Sequence, residues 1–584
     1  MRRRYLIYLA AALWLAAACL AGALWLQRTR EHIWPLGGMS RLQRCTGHYD
    51  LAVRNGLVLD GLGHEPLRAD IGVRDGRIAC VGIMEAAEAQ QVIDAAGQIV
   101  APGFIDVHTH IEKNLPNGAA PFLAPNFARQ GVTTIITGNC GRSVPSLAPM
   151  FEQLDRNGAQ VNVASLIGHN TVRRQVMGAA ARAPTPQELA AMEQLIARAM
   201  SAGALGLSTG LVYAPGMYAR RDELIALTRV AAAQRGLYVT HLRDEGAQGM
   251  AAIQEALAIG AAANAPVHIS HFKAQGRGQW GTAAARLALV DEARRKQMHV
   301  SIDQYPYTAS STGLEVLLPA GGESESSAQL RQSLRNPQMR ARLRAAMLAQ
   351  LQADGWPDYS FARVAYCPSN LAFNGLSINQ IADRRLTRPA APPHVTSAAL
   401  KERATRTDEA QTPLASERAL TEAERQADVI LDLLAEGGAQ MIYFDMDESD
   451  VAAIMKHDDT MFGSDSGVRL ENAPAIPHPR GLGTFPRVLA RYVREQQTLS
   501  LPDAVRRMTS LPAQTFGLGQ RGQISAGYWA DLVIFDAQHV ADQATYEQPL
   551  APPRGIAYTI VSGVVVLERG QLTTATPGRA LRHQ

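Results

Sequence analysis

Basic tracts are missing from this chain. Its formal net charge is only +4 across 584 residues, and beyond residues 1–4 no run of lysine and arginine could track a phosphate backbone, so nucleic acid is excluded as a partner. Cysteine is equally scarce. The five present, at positions 19, 45, 80, 140 and 367, show no CxxC spacing, so neither a zinc ribbon nor a disulfide scaffold is indicated and each is judged alone. Lysine is absent between Lys113 and Lys273. Any chemistry in that interval relies on other side chains.

Length is not lacking. The chain suffices for a barrel-sized domain plus a smaller partner. It opens with Met1-Arg-Arg-Arg and an uncharged run from Tyr5 to Leu26, which at about 1.5 Å per residue matches a hydrocarbon core of about 30 Å. The expectation is an N-terminal transmembrane helix within a signal-anchor segment, residues 1–30, followed by a linker over 31–47. The arginines ahead of the run favour the N-terminus inside. The body is then expected as a membrane-anchored or exported unit on the periplasmic or extracellular side; a cleaved secretory signal leads to the same side.

Two β-rich blocks flank the chain. Asn55-Gly56 and Asp75-Gly76 sit between alternating apolar residues and predict hairpin turns. A matching block runs from Gly527 to Asp536 and from Ala557 to Val566. A small β-sandwich built from both ends is expected, residues 48–103 with 516–575, leaving a tail at 576–584. Between them, residues 104–515 alternate short apolar strands with amphipathic helical stretches. Eight strands are expected near 104–107, 132–137, 161–167, 204–208, 238–241, 267–271, 300–304 and 461–463, a closed (β/α)8 TIM-like barrel. Thr185-Pro-Gln-Glu188 reads as the start of a helix that Gly203 ends. Residues 386–420, rich in Pro, Ala, Thr and Arg, break the rhythm and read as an insertion on the catalytic side.

The chemistry gathers at strand ends. In Ala101-Pro-Gly-Phe-Ile-Asp-Val-His-Thr-His110 two histidines at i, i+2 share one face of an extended strand and can grip one metal ion. Cys140 in Gly138-Asn-Cys-Gly141 follows the second strand and His241 the fifth. His271 follows the sixth, and Asp465 in Gly463-Ser-Asp-Ser-Gly467 the last. In such barrels these ends form one bowl, so His108, His110, Cys140, His241, His271 and Asp465 are the candidate metal ligands. A thiolate among imidazoles favours Zn²⁺ over Mg²⁺ or Ca²⁺.

This constellation resembles the amidohydrolase superfamily and, within it, the N-acyl-D-amino-acid deacylases or D-aminoacylases, from about residue 48 to 570. The motifs that carry it are the His-x-His stretch, Gly-Asn-Cys-Gly, Gly206-Leu-Ser-Thr-Gly-Leu-Val-Tyr-Ala-Pro-Gly216, Thr240-His-Leu-Arg-Asp-Glu245, Ser270-His-Phe-Lys273, Asp303-Gln-Tyr-Pro-Tyr-Thr-Ala309, Gly-Ser-Asp-Ser-Gly and His478-Pro-Arg-Gly-Leu-Gly-Thr-Phe-Pro486. Gly-Asn-Cys-Gly discriminates. Most two-metal members of the superfamily bridge their ions with a carboxylated lysine or a glutamate, whereas the D-aminoacylases use a cysteine after strand two. With no lysine between 113 and 273, no carboxylated lysine can come from strands two to five.

The resemblance implies one tight zinc on Cys140, His241 and His271 with Asp465 near it, and a second, weaker site at His108 and His110. It implies hydrolysis of the linear amide of N-acyl-D-amino acids by metal-activated water, with Asp465 as general base and then acid. Lys273 and Arg480 resemble the family's carboxylate-binding pair, and Tyr213 and Tyr305 its substrate-binding tyrosines. A related reading keeps barrel and metal but takes cyclic amides or D-residue-containing dipeptides. A third, a catalytically silent scaffold, is expected to have lost ligands, and none of the six is missing.

Overall fold

A computed structural model describes residues 43–85, 88–116, 118–319, 327–387, 420–470 and 474–583. Eight parallel strands organise it: Phe104–Asp106, Val132–Thr137, Asn162–Ser165 continued by Ile167–Gly168, Gly206–Gly210, Leu237–His241, Val267–Ile269, Val300–Gln304 and Thr460–Phe462. Every neighbouring pair is parallel, with registers such as Gly210 opposite His241 and Asp303 opposite Met461. The ring closes where the first and last strands meet. Asp465 N donates to His108 O at 2.8 Å and His110 N to Ser466 O at 3.0 Å, beside a parallel bridge between Thr109 and Ser466. These strands are buried throughout because both faces are covered: Ile105, Val107, Ile136, Val239 and Met461 fill the interior, while helices such as Pro186–Ser201, Arg221–Ala233 and Gly249–Ala263 cover the outside.

The helix starting at Pro186 begins as its sequence dictates. Thr185 accepts from Glu188 N while the Glu188 side chain accepts from Thr185 N, and Gly203, at φ +108°, lets the chain turn away at the far end.

The flanking strands correct one expectation. They form a single hydrogen-bonded sheet of ten strands rather than a sandwich of two. Leu532–Phe535 lies antiparallel to Ile99–Pro102 and welds the two ends of the chain together. The sheet curls on itself because the Asp75-Gly76 hairpin bonds to the segment that leads into Leu532–Phe535: Ala530 N donates to Gly76 O at 2.9 Å and Ile78 N to Tyr528 O at 2.8 Å. Val53, Ile71, Ile78, Leu532, Ile534 and Ile560 share the core this encloses. Asp75-Gly76 is the expected turn, with both residues at positive φ. Asn55-Gly56 is not. It lies inside the strand His48–Val58, where the register shifts between Val53 and Gly56, and Asn55 is held by Asp70 Oδ1 and Asp94 Oδ1, each at 2.9 Å. A disulfide joins Cys45 to Cys80 across the edge of this sheet, a pairing the scattered cysteine spacing left unread.

Between the seventh and eighth strands stands a unit with its own core. Helices Pro337–Ala353, Ile378–Thr387 and Glu422–Ala435 pack with the antiparallel pair Ala362–Tyr366 and Gln440–Tyr443 around Met347, Val364, Ile381, Ile430 and Met441. Of the insertion expected at 386–420, residues 388–419 lie outside the described residues.

The expected transmembrane helix is also corrected. Among the described residues no helix is long and apolar enough to cross a membrane. The longest, Pro337–Ala353 with 17 residues, spans about 26 Å, short of a core of about 30 Å. The membrane anchor, and the periplasmic or extracellular placement inferred from it, are not retained; Tyr5–Leu26 themselves lie outside the described residues.

Candidate metal centre and active site

All six expected ligands converge at the C-terminal mouth of the barrel. Cys140 Sγ stands 3.6 Å from His241 Nδ1, 3.5 Å from His271 Nε2 and 3.3 Å from His108 Nε2. A tetrahedral zinc with a sulfur ligand at about 2.3 Å and a nitrogen ligand at about 2.05 Å holds the two donors about 3.5 Å apart. Cys140, His241 and His271 match that spacing, so this donor set fits the ion. Three groups bring their donor atoms within 4.8 Å of one another: Cys140 with His241 and His271, Cys140 with His108 and His110, and His108 with His271 and Asp465. Cys140 belongs to two of them and can serve two neighbouring positions.

Three of these residues leave their strands in the left-handed region, Cys140 at φ +52°, His271 at +34° and Asp465 at +47°. Non-glycine residues adopt it at a cost and persist only where surroundings hold them. His271 N donates to Asp303 Oδ1 at 2.9 Å, and Asp465 N to His108 O at 2.8 Å. The turns aim the side chains into the mouth instead of along the barrel wall.

Charge suits the metal at Cys140, Asp465 and His241. Burial pushes the Cys140 thiol up, but the charge of His108 and hydrogen bonds with His108, His110 and His241 outweigh it and hold the thiol well below its usual range. Burial likewise raises Asp465, yet Arg480, His108 and the His110 hydrogen bond keep it well below the usual carboxylate range. Burial lowers His241 and keeps the imidazole neutral. A thiolate, a neutral imidazole and a carboxylate are the forms that ligate. Asp465 Oδ1 is 3.1 Å from His110 Nε2 and 3.7 Å from His108 Nε2, while Oδ2 is 3.0 Å from Arg480 Nη1.

The expected substrate groups line the same mouth. Lys273 Nζ donates to Glu245 Oε1 at 2.6 Å and lies 2.9 Å from His271 Nδ1. Arg480 Nη2 donates to Ser311 O at 3.1 Å. Tyr305 is buried between the two cations, its ring centre 5.7 Å from Lys273 Nζ and 4.6 Å from Arg480 Cζ. The Tyr213 ring lies 5.0 Å from that of His241, and its hydroxyl is 3.1 Å from Thr312 Oγ1. Lys273 and Arg480 thus each already face a carboxylate, Glu245 and Asp465.

Two carboxylates escaped the sequence reading. Glu245 lies 2.9 Å from His271 Nδ1 and 3.7 Å from His241 Nε2 as well as binding Lys273. Asp303 joins His108 Nδ1 at 3.3 Å to His268 Nε2 at 2.8 Å. Each fixes the ring whose other nitrogen faces the metal position. Both sat in motifs already noted, and the available signal was spacing: Glu245 follows His241 by four residues, and Asp303 lies next to the end of the barrel strand beside that of His271.

A closed parallel barrel with a cysteine and histidines gathered at the C-terminal ends of its strands defines a metal-dependent hydrolase centre of the (β/α)8 class. The chain belongs to the amidohydrolase family, whose profile matches residues 91–567, and within it to the N-acyl-D-amino-acid deacylases. It is 36% identical to an N-acyl-D-glutamate deacylase of Alcaligenes xylosoxydans xylosoxydans, over 91% of this chain and 96% of that one. It is 34% identical to a D-aminoacylase of the same organism, over 91% and 97%. The crystal structure of N-acyl-D-glutamate deacylase from Bordetella bronchiseptica, complexed with zinc and a phosphonate mimic of the tetrahedral intermediate, superposes with a TM-score of 0.73 at 33% identity, covering 92% of this chain and all of that one.

Proposed function

We propose that the protein is a zinc-dependent hydrolase of N-acyl-D-amino acids, releasing a carboxylate and the free D-amino acid. The observation that carries this reading is the zinc-matched spacing of Cys140, His241 and His271, with the Asp465 carboxylate facing the same mouth. Cys140, His241 and His271 hold the tight ion, and His108 and His110 a weaker one. Zinc, when bound, polarises the scissile carbonyl and makes water a nucleophile near neutral pH. Asp465 receives the proton of the attacking water and returns it to the nitrogen, which must be protonated to leave as an amine. Arg480 and His110 keep that carboxylate ionised between turnovers. Lys273 and Arg480 draw the substrate's α-carboxylate, and Tyr305 between them and Tyr213 opposite wall the amide. In this reading residues 104–515 form the catalytic unit, supported by 48–103 and 516–575. Of these relatives one is named for D-glutamate and the other for no particular side chain, and identities of 36% and 34% do not separate them.

The test is zinc content together with hydrolysis of N-acetyl-D-methionine, N-acetyl-D-glutamate and their L-enantiomers, in wild type and Asp465→Ala. The expected result is at least about one zinc per chain and D-selective turnover that falls by about 10²- to 10⁴-fold in the variant with zinc retained. Turnover of hydantoins without linear amides moves the substrate to cyclic amides; protein lacking zinc sinks the metal assignment.

A further inference from the structure

Arg480 reaches the site from the motif His478-Pro-Arg480, and the histidine of that motif is buried two residues away. The helix Arg480–Arg487 starts here without a side-chain cap from Pro479. His478 supplies one from a residue further upstream: its Nδ1 accepts from Arg480 N at 3.0 Å, and its Nε2 lies 2.9 Å from Ala309 O. A backbone N–H can only donate and a carbonyl can only accept. The two contacts therefore define a neutral ring with its proton on Nε2. Burial, and then the charge of Arg480, hold the imidazole well below its usual pKa range. Tyr307 and Tyr546 meet the ring edge-on with ring centres 5.0 and 5.2 Å away, and Tyr305 lies at 6.2 Å. Both nitrogens are thus engaged inside an aromatic box.

Arg480 stands where a cation is hard to keep. It is buried and is the first residue of its helix, the end that carries partial positive charge. Besides the His478 contact, Arg480 Nη2 donates to Ser311 O at 3.1 Å and Nη1 lies 3.0 Å from Asp465 Oδ2. Ala309 and Ser311 belong to the segment that follows the strand Val300–Gln304 and also carries Tyr305, whose ring centre is 4.6 Å from Arg480 Cζ. His478 therefore ties the backbone of Arg480 to the segment bearing the tyrosine under its guanidinium. Among the described residues Arg480 Nη1 makes no hydrogen bond, which leaves donor capacity for an arriving carboxylate.

We infer that His478 is a positioning residue that holds Arg480 over Tyr305 through a fixed neutral tautomer, and so sets the affinity for the substrate's α-carboxylate without itself exchanging a proton in turnover. This rests on the deacylase reading above. With the cap gone, the Arg480 N–H and the Ala309 carbonyl are both left buried without a partner, and the start of the helix shifts to satisfy them. The guanidinium moves with it.

The experiment measures kcat and KM for N-acetyl-D-methionine, with zinc content, in wild type, H478N, H478Q and H478F. An asparagine oxygen can stand where Nδ1 does, a glutamine amide reaches instead toward the Nε2 position, and phenylalanine keeps a ring without polar atoms. H478F is expected to raise KM by about 10- to 100-fold with a smaller fall in kcat, as a displaced charge-assisted contact does. H478Q is expected to follow it, and H478N to recover most of the loss, all with zinc retained. A KM that H478F leaves unmoved overturns the inference, as does a loss carried by kcat alone or an H478N as impaired as H478F, the mark of an imidazole that transfers protons. Zinc lost from all three variants also overturns it, as general damage to the site. If H478F does not fold, the order of the other two decides, and H478Q matching or exceeding H478N rejects the cap. Any of these results with an active wild type spares the deacylase reading; no turnover of any N-acyl-D-amino acid by wild type rejects both.

Discussion

A carboxylate in this protein takes its meaning from what surrounds it. Asp465 was legible because it follows a barrel strand in a motif with few other roles, and the six ligand candidates meet as strand-end placement requires. Glu245 and Asp303 were not, since an acidic side chain is solvated as often as it orients a histidine, and only contact distances tell the two apart. Asp445 is a third case and yields a pH prediction. It is buried, with Oδ2 accepting from Gln275 Nε2 at 2.7 Å and Ser310 Oγ at 2.8 Å and Oδ1 unpartnered. Burial raises its pKa to about 6, more than those two hydrogen bonds lower it. The folded state therefore holds a proton that the unfolded chain releases near pH 4. Stability falls as pH rises from about 4 to about 6 and the loss, up to about 3 kcal/mol, persists above. Asp445→Asn keeps the acceptor and removes the charge, so its melting temperature should gain on wild type more at pH 8 than at pH 5. Equal gains at the two pH values would dismiss the buried-charge account.

At the level of single elements, local chemistry is read well where it is self-contained. The Thr185 cap needs only four consecutive residues, and it forms as written. Thr185→Ala is expected to cost about 1 kcal/mol, visible as a lower midpoint in urea, and Thr185→Ser to cost far less. The turn pairs divide for the same reason. Asp75-Gly76 is flanked by strands that pair with each other, Leu67–Arg74 and Arg77–Ile83. Asn55-Gly56 has the same dipeptide signal, but Leu57 and Val58 continue past it to pair with Ile99 and Val100. A Cβ at Gly56 would lie 2.5 Å from Val100 Cγ2. That glycine serves close strand contact, a tertiary demand no local pattern carries.

Across the whole molecule, the ends of the chain are held in one sheet, and the Cys45–Cys80 disulfide closes a 35-residue loop at its edge. Loops of this length gain about 2–4 kcal/mol from a crosslink. The Cys45→Ser/Cys80→Ser variant should therefore melt below wild type, and reductant should lower wild type toward the variant while leaving the variant unmoved. A wild-type melting point insensitive to reductant would remove the crosslink from the stability account. The barrel, its eight strands and the metal-type residues at their ends were readable from the residue pattern alone. Hydrophobic period and strand-end position are local properties, and a parallel barrel converts them into one bowl whatever the loops do. That the flanking strands make one curled sheet, that Cys45 meets Cys80, and that Glu245 and Asp303 orient the histidines emerged only once the chain had folded. Each of these depends on which distant groups come within a few ångströms, and pairing, burial and charge balance exist only once the chain has closed on itself.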